Sequence, residues 1–332
     1  MFNRIRKSWA GVAAVAAMGL MSAPAGAADV VGVATGQQGS LGYNTGQAVA
    51  KVLNLKAGIT ARTQPLAGTA AYLPLISRGE IEFGFANAVE VEYAATGTGN
   101  FEGKTNPNLR VVGTMFPLRT GLMVVKDSGI RTIQDVYAKR KDLRIASEYK
   151  ASTIIAYYIA GALANGGMTY DDFKQVPVSN FVKGMTALGD GLVDVTLISL
   201  NSAAGKKVNA KLQSRGGIQY VSLDSSPEGQ AKFKKFLPAA SIIPMKANSA
   251  IPGLQDAANI IEIPWMMVTH KDAPEELVYK ATKAIAENRK ALGDTFGAFK
   301  RGKNEAMAPT HAIDYHPGAV KYYREAGIKI GM

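Results

Sequence analysis

The sequence has no cysteine, three histidines and two tryptophans in 332 residues. Without cysteine there is no thiol nucleophile, no disulfide and no thiolate-ligated zinc site. A bacterial lipid anchor, which needs a cysteine at the cleavage site, is excluded as well. The histidines are His270, His311 and His316. His311 and His316 are five residues apart, whereas a metal pair on one helix face needs a spacing of three or four. HExxH, GxSxG, GxxxxGK[ST] and GxGxxG are all missing, so neither hydrolase, nucleotide nor dinucleotide chemistry has its usual signature. The expectation is a binding protein without catalytic residues, cofactor or metal.

Acidic residues are also scarce, 26 Asp and Glu against 38 Lys and Arg, for a net charge of +12. The basic residues are dispersed. The densest groups, Lys206-Lys207 and Lys232, Lys234 and Lys235, lack the interleaved aromatics of a single-strand binder. Nucleic acid is therefore not an expected partner, and a basic surface modestly favours anionic solutes. Long apolar runs are absent. The longest candidate, Trp9 to Met21, is shorter than the ~20 residues that span a bilayer. Preceded by Arg4, Arg6 and Lys7 and followed by Ala25-Gly26-Ala27, it reads instead as an export signal over residues 1–27, cleaved near Ala27. A periplasmic location follows as an expectation.

The remaining chain is long enough for about two domains. Short apolar runs alternate with helical patterns through glycine-bearing turns, which predicts βαβ units around mostly parallel sheets. Val30–Ala34 leads into a glycine-rich loop, Thr35 to Tyr43, and then a helix over Asn44–Asn54. Ile59–Thr63 is a second strand, and the helix after Leu66-Ala67-Gly68-Thr69 is interrupted or kinked by Pro74. Ile81–Ala86 is a third strand, Val111–Phe116 and Gly121–Val125 are apolar runs flanking Arg119, and Trp265–Thr269 is a late strand. Asp272 and Glu275 have capping-box spacing. The stretches Asn201–Gln213 and Ser222–Gly229 are polar and expected at the surface. One small pattern occurs twice: Gly79-Glu80-Ile81-Glu82-Phe83-Gly84-Phe85 is in register with Gly191-Leu192-Val193-Asp194-Val195-Thr196-Leu197. A copy in each half argues for two related α/β lobes.

The glycine-rich loop aims backbone N–H groups above its sheet, and the hydroxyl-bearing helix starts at Gly68-Thr69 and Ser152-Thr153 do the same, which suits an anionic group. Arg119 offers a guanidinium fork for a carboxylate.

In order along the chain, these segments resemble the TAXI proteins, the TRAP-associated extracytoplasmic immunogenic solute receptors. Thr35-Gly36-Gln37-Gln38-Gly39-Ser40-Leu41-Gly42-Tyr43-Asn44-Thr45-Gly46 is similar to that family's TGGxGGxYYxxG loop. Leu66-Ala67-Gly68-Thr69 stands for its TGGS, Gly79 to Gly84 for its acidic strand, and Ala151-Ser152-Thr153 for its SGT. His316-Pro317-Gly318-Ala319 and Tyr322 to Gly327 resemble its ending. The sequence departs from the family at Gln37-Gln38 and Gly39-Ser40, at Arg119, and at Asn87-Ala88-Val89, where the family's acid is missing.

The resemblance implies an α/β type II periplasmic-binding-protein fold with a ligand cleft between two lobes. The lobes are expected at residues 28–120 plus 250–332 and at 121–249. It implies a monomer that hands a small organic anion to a membrane-embedded TRAP permease; a receptor of the same fold for an ATP-driven (ABC) transporter is the alternative. Gln38, Ser40, Tyr43, Gly68, Thr69, Asn87, Arg119, Ser152, Thr153 and Asn201 are the expected ligand contacts.

Overall fold

The computed structural model describes residues 30–200 and 202–331. The expected export signal, residues 1–27, and Asn201 lie outside the described residues. In chain order the elements of the first part are β1 (Val30–Thr35), α1 (Leu41–Lys56), β2 (Thr60–Pro65), α2 (Thr69–Ser77), β3 (Phe83–Asn87), α3 (Ala88–Thr96) and the long β4 (Leu109–Val125). Next come α4 (Ile133–Lys139), β5 (Arg144–Glu148), α5 (Ile154–Asn165), β6 (Lys174–Val178), α6 (Phe181–Gly189), β7 (Thr196–Ser199), α7 (Ala203–Lys211), β8 (Ile218–Tyr220), α8 (Pro227–Lys234) and β9 (Ser241–Met245). A second long strand, β10 (Ala258–His270), is followed by α9 (Glu275–Glu287), α10 (Arg289–Thr295) and α11 (Pro317–Glu325). No helix among the described residues is long and apolar enough to cross a membrane.

The expected parallel sheet is present only at its edge. Strands β2, β1 and β3 are parallel neighbours, but β10 joins β3 antiparallel and β4 joins β10 antiparallel. The far half of β4 then pairs with β7 and β8, both antiparallel, and β5 pairs with β6 in parallel. The two apolar runs around Arg119 are thus one continuous strand, with β10 beside the first run and Arg119, and β7 and β8 beside the second. At the middle of this pairing Pro117 faces Pro264, so neither strand has an N–H to donate there. A register shift follows at Trp265/Met266, and such bulges re-aim adjacent side chains.

The first helix starts earlier than its apolar pattern predicts, since Ser40 caps it by accepting the Tyr43 N–H at 3.1 Å. Helix α2 runs through Pro74 without ending, at the cost of one bond of the ladder. Asp272 and Glu275 form no capping box: α9 is entered through Pro274, and the Asp272 carboxylate pairs with Lys271 at 2.7 Å. The two polar stretches expected at the surface hold α7 and the start of α8, capped by Ser202 and Ser226.

The repeated pattern has a common structural job. Gly79 and Gly191 both follow a helix with positive φ, +74° and +70°. The acid three residues on reaches the neighbouring strand in each case. Glu82 accepts the Gly32 N–H of β1 at 2.6 Å, and Asp194 accepts the Arg144 N–H of β5 at 2.8 Å.

Candidate functional site

A cavity of about 610 Å³, mouth included, lies between α1, α2, α3 and β10 on one side and α5, α6 and β7 on the other. That size suits a small molecule. Its apolar wall includes Leu41, Leu118, Ile155, Phe181, Val182 and Trp265. Its polar groups sit mainly where helices begin. Ser40 caps α1, Gly68 precedes α2, Asn87 caps α3, Ser152 precedes α5 and Asn180 caps α6. Five helix N-termini therefore border one space. Each carries unpaired N–H groups and partial positive charge. Among the described residues of the wall there is no lysine, arginine or histidine.

Two buried donors of the cavity wall have no partner among the described residues. The Tyr158 hydroxyl, from α5, and the Trp265 Nε1–H, from β10, are unbonded although their residues are 3% and 6% exposed. Both residues line the cavity, from opposite sides. An unpaired buried donor costs roughly 1–3 kcal/mol, which a ligand acceptor would restore.

The one acid of the wall among the described residues is Glu90, on the first turn of α3 and fully buried. Its Oε1 accepts from the Thr69 hydroxyl and from Asn100 Nδ2 at 3.2 Å, and its Oε2 from Asn87 Nδ2 at 3.2 Å. Burial pushes its carboxyl up to about 7, against the opposing pull of those three donors. The Tyr72 and Tyr158 phenols are held well above their ordinary value by burial and then by the nearby Glu90 charge.

The expected contacts divide clearly. Ser40, Gly68, Thr69, Asn87 and Ser152 line the cavity. Gln38 lies instead in a separate depression with Ala204 and Lys207. Tyr43 is not among the wall residues, and Thr153 is engaged by Asn100 at 3.1 Å. Arg119 is absent from the wall because its Nε donates to Glu262, its register partner on β10, at 2.7 Å. That ion pair leaves a counter-ion role for Arg119 without geometric support. Asn201 lies outside the described residues.

Sequence reasoning missed Glu90, Tyr158, Trp265, Asn180 and Ser199. For Glu90 a signal existed: Asn87 followed three residues later by Glu90 has capping-box spacing. The residue that follows Asn87-Ala88-Val89 thus places an acid on the wall. Nothing local marks Tyr158 or Trp265, which are ordinary apolar-run aromatics until the two sides face each other.

The two sides are in contact around the cavity. Ala204 N–H donates to the Gly39 carbonyl at 3.1 Å, and the Tyr93 hydroxyl to the Phe236 carbonyl at 2.9 Å. A side chain at Gly68 would place its Cβ 1.8 Å from the Ala151 carbonyl oxygen. The cleft is therefore shut in this structure.

Solved structures share this architecture at low identity. The chain is similar to the periplasmic binding protein BugD, with 13% identity, a TM-score of 0.56 and coverage of 91% of this chain and 98% of that one. It is similar to PhnD1 from Prochlorococcus marinus, solved with methylphosphonate, with 12% identity, a TM-score of 0.54 and coverage of 91% and 99%. It is also similar to a binding protein component of an ABC phosphonate transporter from Pseudomonas aeruginosa, with 12% identity, a TM-score of 0.50 and coverage of 83% and 81%. The fold is the two-lobed type II periplasmic-binding-protein fold. The sequence matches the NMT1-like family over residues 33–327, and the chain belongs to that family.

Proposed function

We propose that this protein is an exported solute receptor that closes two lobes on a small organic anion with an apolar body and presents it to a membrane transporter. The observation that carries the reading is the convergence of five helix N-termini and two unpartnered donors on one closed cavity. Such a cavity solvates negative charge with fixed dipoles in place of a mobile cation. Its aliphatic and aromatic wall suits the rest of the ligand. Division into residues 28–120 plus 250–332 and 121–249 fits one hydrophobic core, which draws on Val31 to Leu118 and on Trp265 to Tyr323.

For the transporter, an ATP-driven partner has the better support, since a protein of the same fold is the binding component of an ABC phosphonate transporter. An ion-gradient TRAP permease rests on the resemblance of the loop and helix-start motifs to TAXI receptors. Uptake by cells depleted of ATP, against cells treated with an ionophore, separates the two.

Calorimetry with the purified mature protein tests the binding reading. A panel of benzoate, 3-methylbutanoate, 4-methyl-2-oxopentanoate, malate and methylphosphonate covers tail and head-group chemistry. At 100 times its Kd a ligand stabilises the fold by about 2.7 kcal/mol. Tyr158→Phe should leave the ligand-free protein as stable as before or slightly more so, and weaken binding by about 1–3 kcal/mol. No binding by any member, or full affinity in Tyr158→Phe and Trp265→Phe alike, would remove this cavity from consideration.

A further inference from the structure

A cavity built for an anion has a carboxyl group in its wall and no basic side chain among its described residues to neutralise it. The groups that bond to Glu90 or feel its charge come from several elements. They are the Thr69 hydroxyl and Tyr72 from α2, Asn87 at the end of β3, Asn100 beyond α3, and Tyr158 from α5. All are neutral. Two negative charges there would repel with little screening, because Glu90 is fully buried and the effective dielectric around it is low.

We propose that Glu90 is a proton-binding ligand contact: the receptor takes up its organic anion together with one proton, held on the Glu90 carboxyl. Glu90 as carboxylate gains a proton from solvent and becomes the neutral acid. The new O–H donates to an oxygen of the bound anion, and the charge of the complex is that of the ligand alone. The proposal rests on the anion reading above and adds the proton to it. Glu90 is suited to this by its position. Its ordinary carboxylate form is already disfavoured by burial, so that its carboxyl titrates at about 7 before any ligand arrives. An anion beside it raises that value further. The receptor then binds tightly in mildly acidic surroundings and releases as the surroundings become alkaline.

Calorimetry in two buffers of different ionisation enthalpy counts the protons. The probes are benzoate, 3-methylbutanoate and 4-methyl-2-oxopentanoate, which stay ionised over the range used, with leucine as a probe that also carries an ammonium. For the acid that binds, uptake should approach one proton per ligand at about pH 8 and fall toward zero at about pH 5.5. Because only the protonated fraction is competent, the affinity should weaken about tenfold between pH 6 and pH 8. Glu90→Gln, which presents a neutral donor at every pH, should bind with the wild-type acid-pH affinity and show no pH dependence. An acid that binds with no proton uptake at either pH overturns the proposal while leaving the anion reading intact. Proton release, with leucine preferred, also overturns it, since Glu90 would then be the carboxylate partner of an ammonium. Failure of every acid at every pH sinks the anion reading and this one with it. Should Glu90→Gln fail to fold, the proton count on the wild type still decides.

Discussion

At the scale of single residues, Glu90 is the most consequential side chain, and its effect on stability has a definite sign. Its ordinary value is 4.5 and its folded value about 7. Between those values the native state holds more protons than the unfolded chain, so stability falls as pH rises through that window and is level above it. The penalty at neutral pH is on the order of 3 kcal/mol for this fully buried group. Denaturant titrations of wild type and Glu90→Gln from pH 4.5 to 8 should therefore converge at the acid end, with the wild type losing ground toward pH 7. Parallel curves would mean that Glu90 titrates normally. Arg119 gives the opposite expectation. Its pair with Glu262 is partly exposed, so Arg119→Ala should cost no more than about 1 kcal/mol of stability and leave ligand affinity unchanged. A large affinity loss in calorimetry would restore it to the site.

At the scale of elements, the repeated glycine–acid pattern does the same work at two helix-to-strand joins. Gly79 and Gly191 take the left-handed conformation just past α2 and α6, where a Cβ is disfavoured. A Cβ at Gly191 would meet no atom within 4 Å, and one at Gly79 would meet the His270 ring at an ordinary 3.7 Å. Any cost is then conformational, and Gly79→Ala or Gly191→Ala should each lose about 1 kcal/mol. The sites are in different parts of the fold, so the double variant should show the sum by thermal or chemical denaturation. Strict non-additivity would tie the two joins together through the long strands. Those strands, β4 and β10, differ from the rest. Their apolar segments could be read locally, but their pairing with each other, with Pro117 set against Pro264, depends on chain segments far apart in sequence.

For the whole molecule, the proposed function requires the two lobes to close on the ligand. Gly68 packs so closely on Ala151 that a larger residue fits only if the sides part. Gly68 is in extended backbone that any residue adopts, so Gly68→Val should not disturb either lobe by itself. The expected outcome is an unchanged melting temperature without ligand, a weakened affinity, and a radius of gyration by X-ray scattering that no longer shrinks on adding ligand. A variant that still contracts and binds at full strength would show that the Gly68 contact does not govern closure.

Local pattern was enough for much of the fold. Alternating apolar runs, glycine punctuation and hydroxyl-bearing helix starts are properties of neighbouring residues, and they located β1, β2, β3, α2 and α5 to within a few positions. The same signals put Ser40, Gly68, Thr69, Asn87 and Ser152 on the candidate wall, because a cap must sit at the end of its own helix. What tertiary structure alone decided was partnership. Arg119 met Glu262 across a strand pair, Thr153 met Asn100, and Tyr158 and Trp265 were left facing one space without acceptors. Glu90 was readable as a helix-start acid, but its burial, and hence the rise of its carboxyl above the ordinary value, came only from packing α2, α3 and α5 around it. Caps are set within a turn of chain; burial and charge pairing are set by segments that meet only when the two lobes assemble.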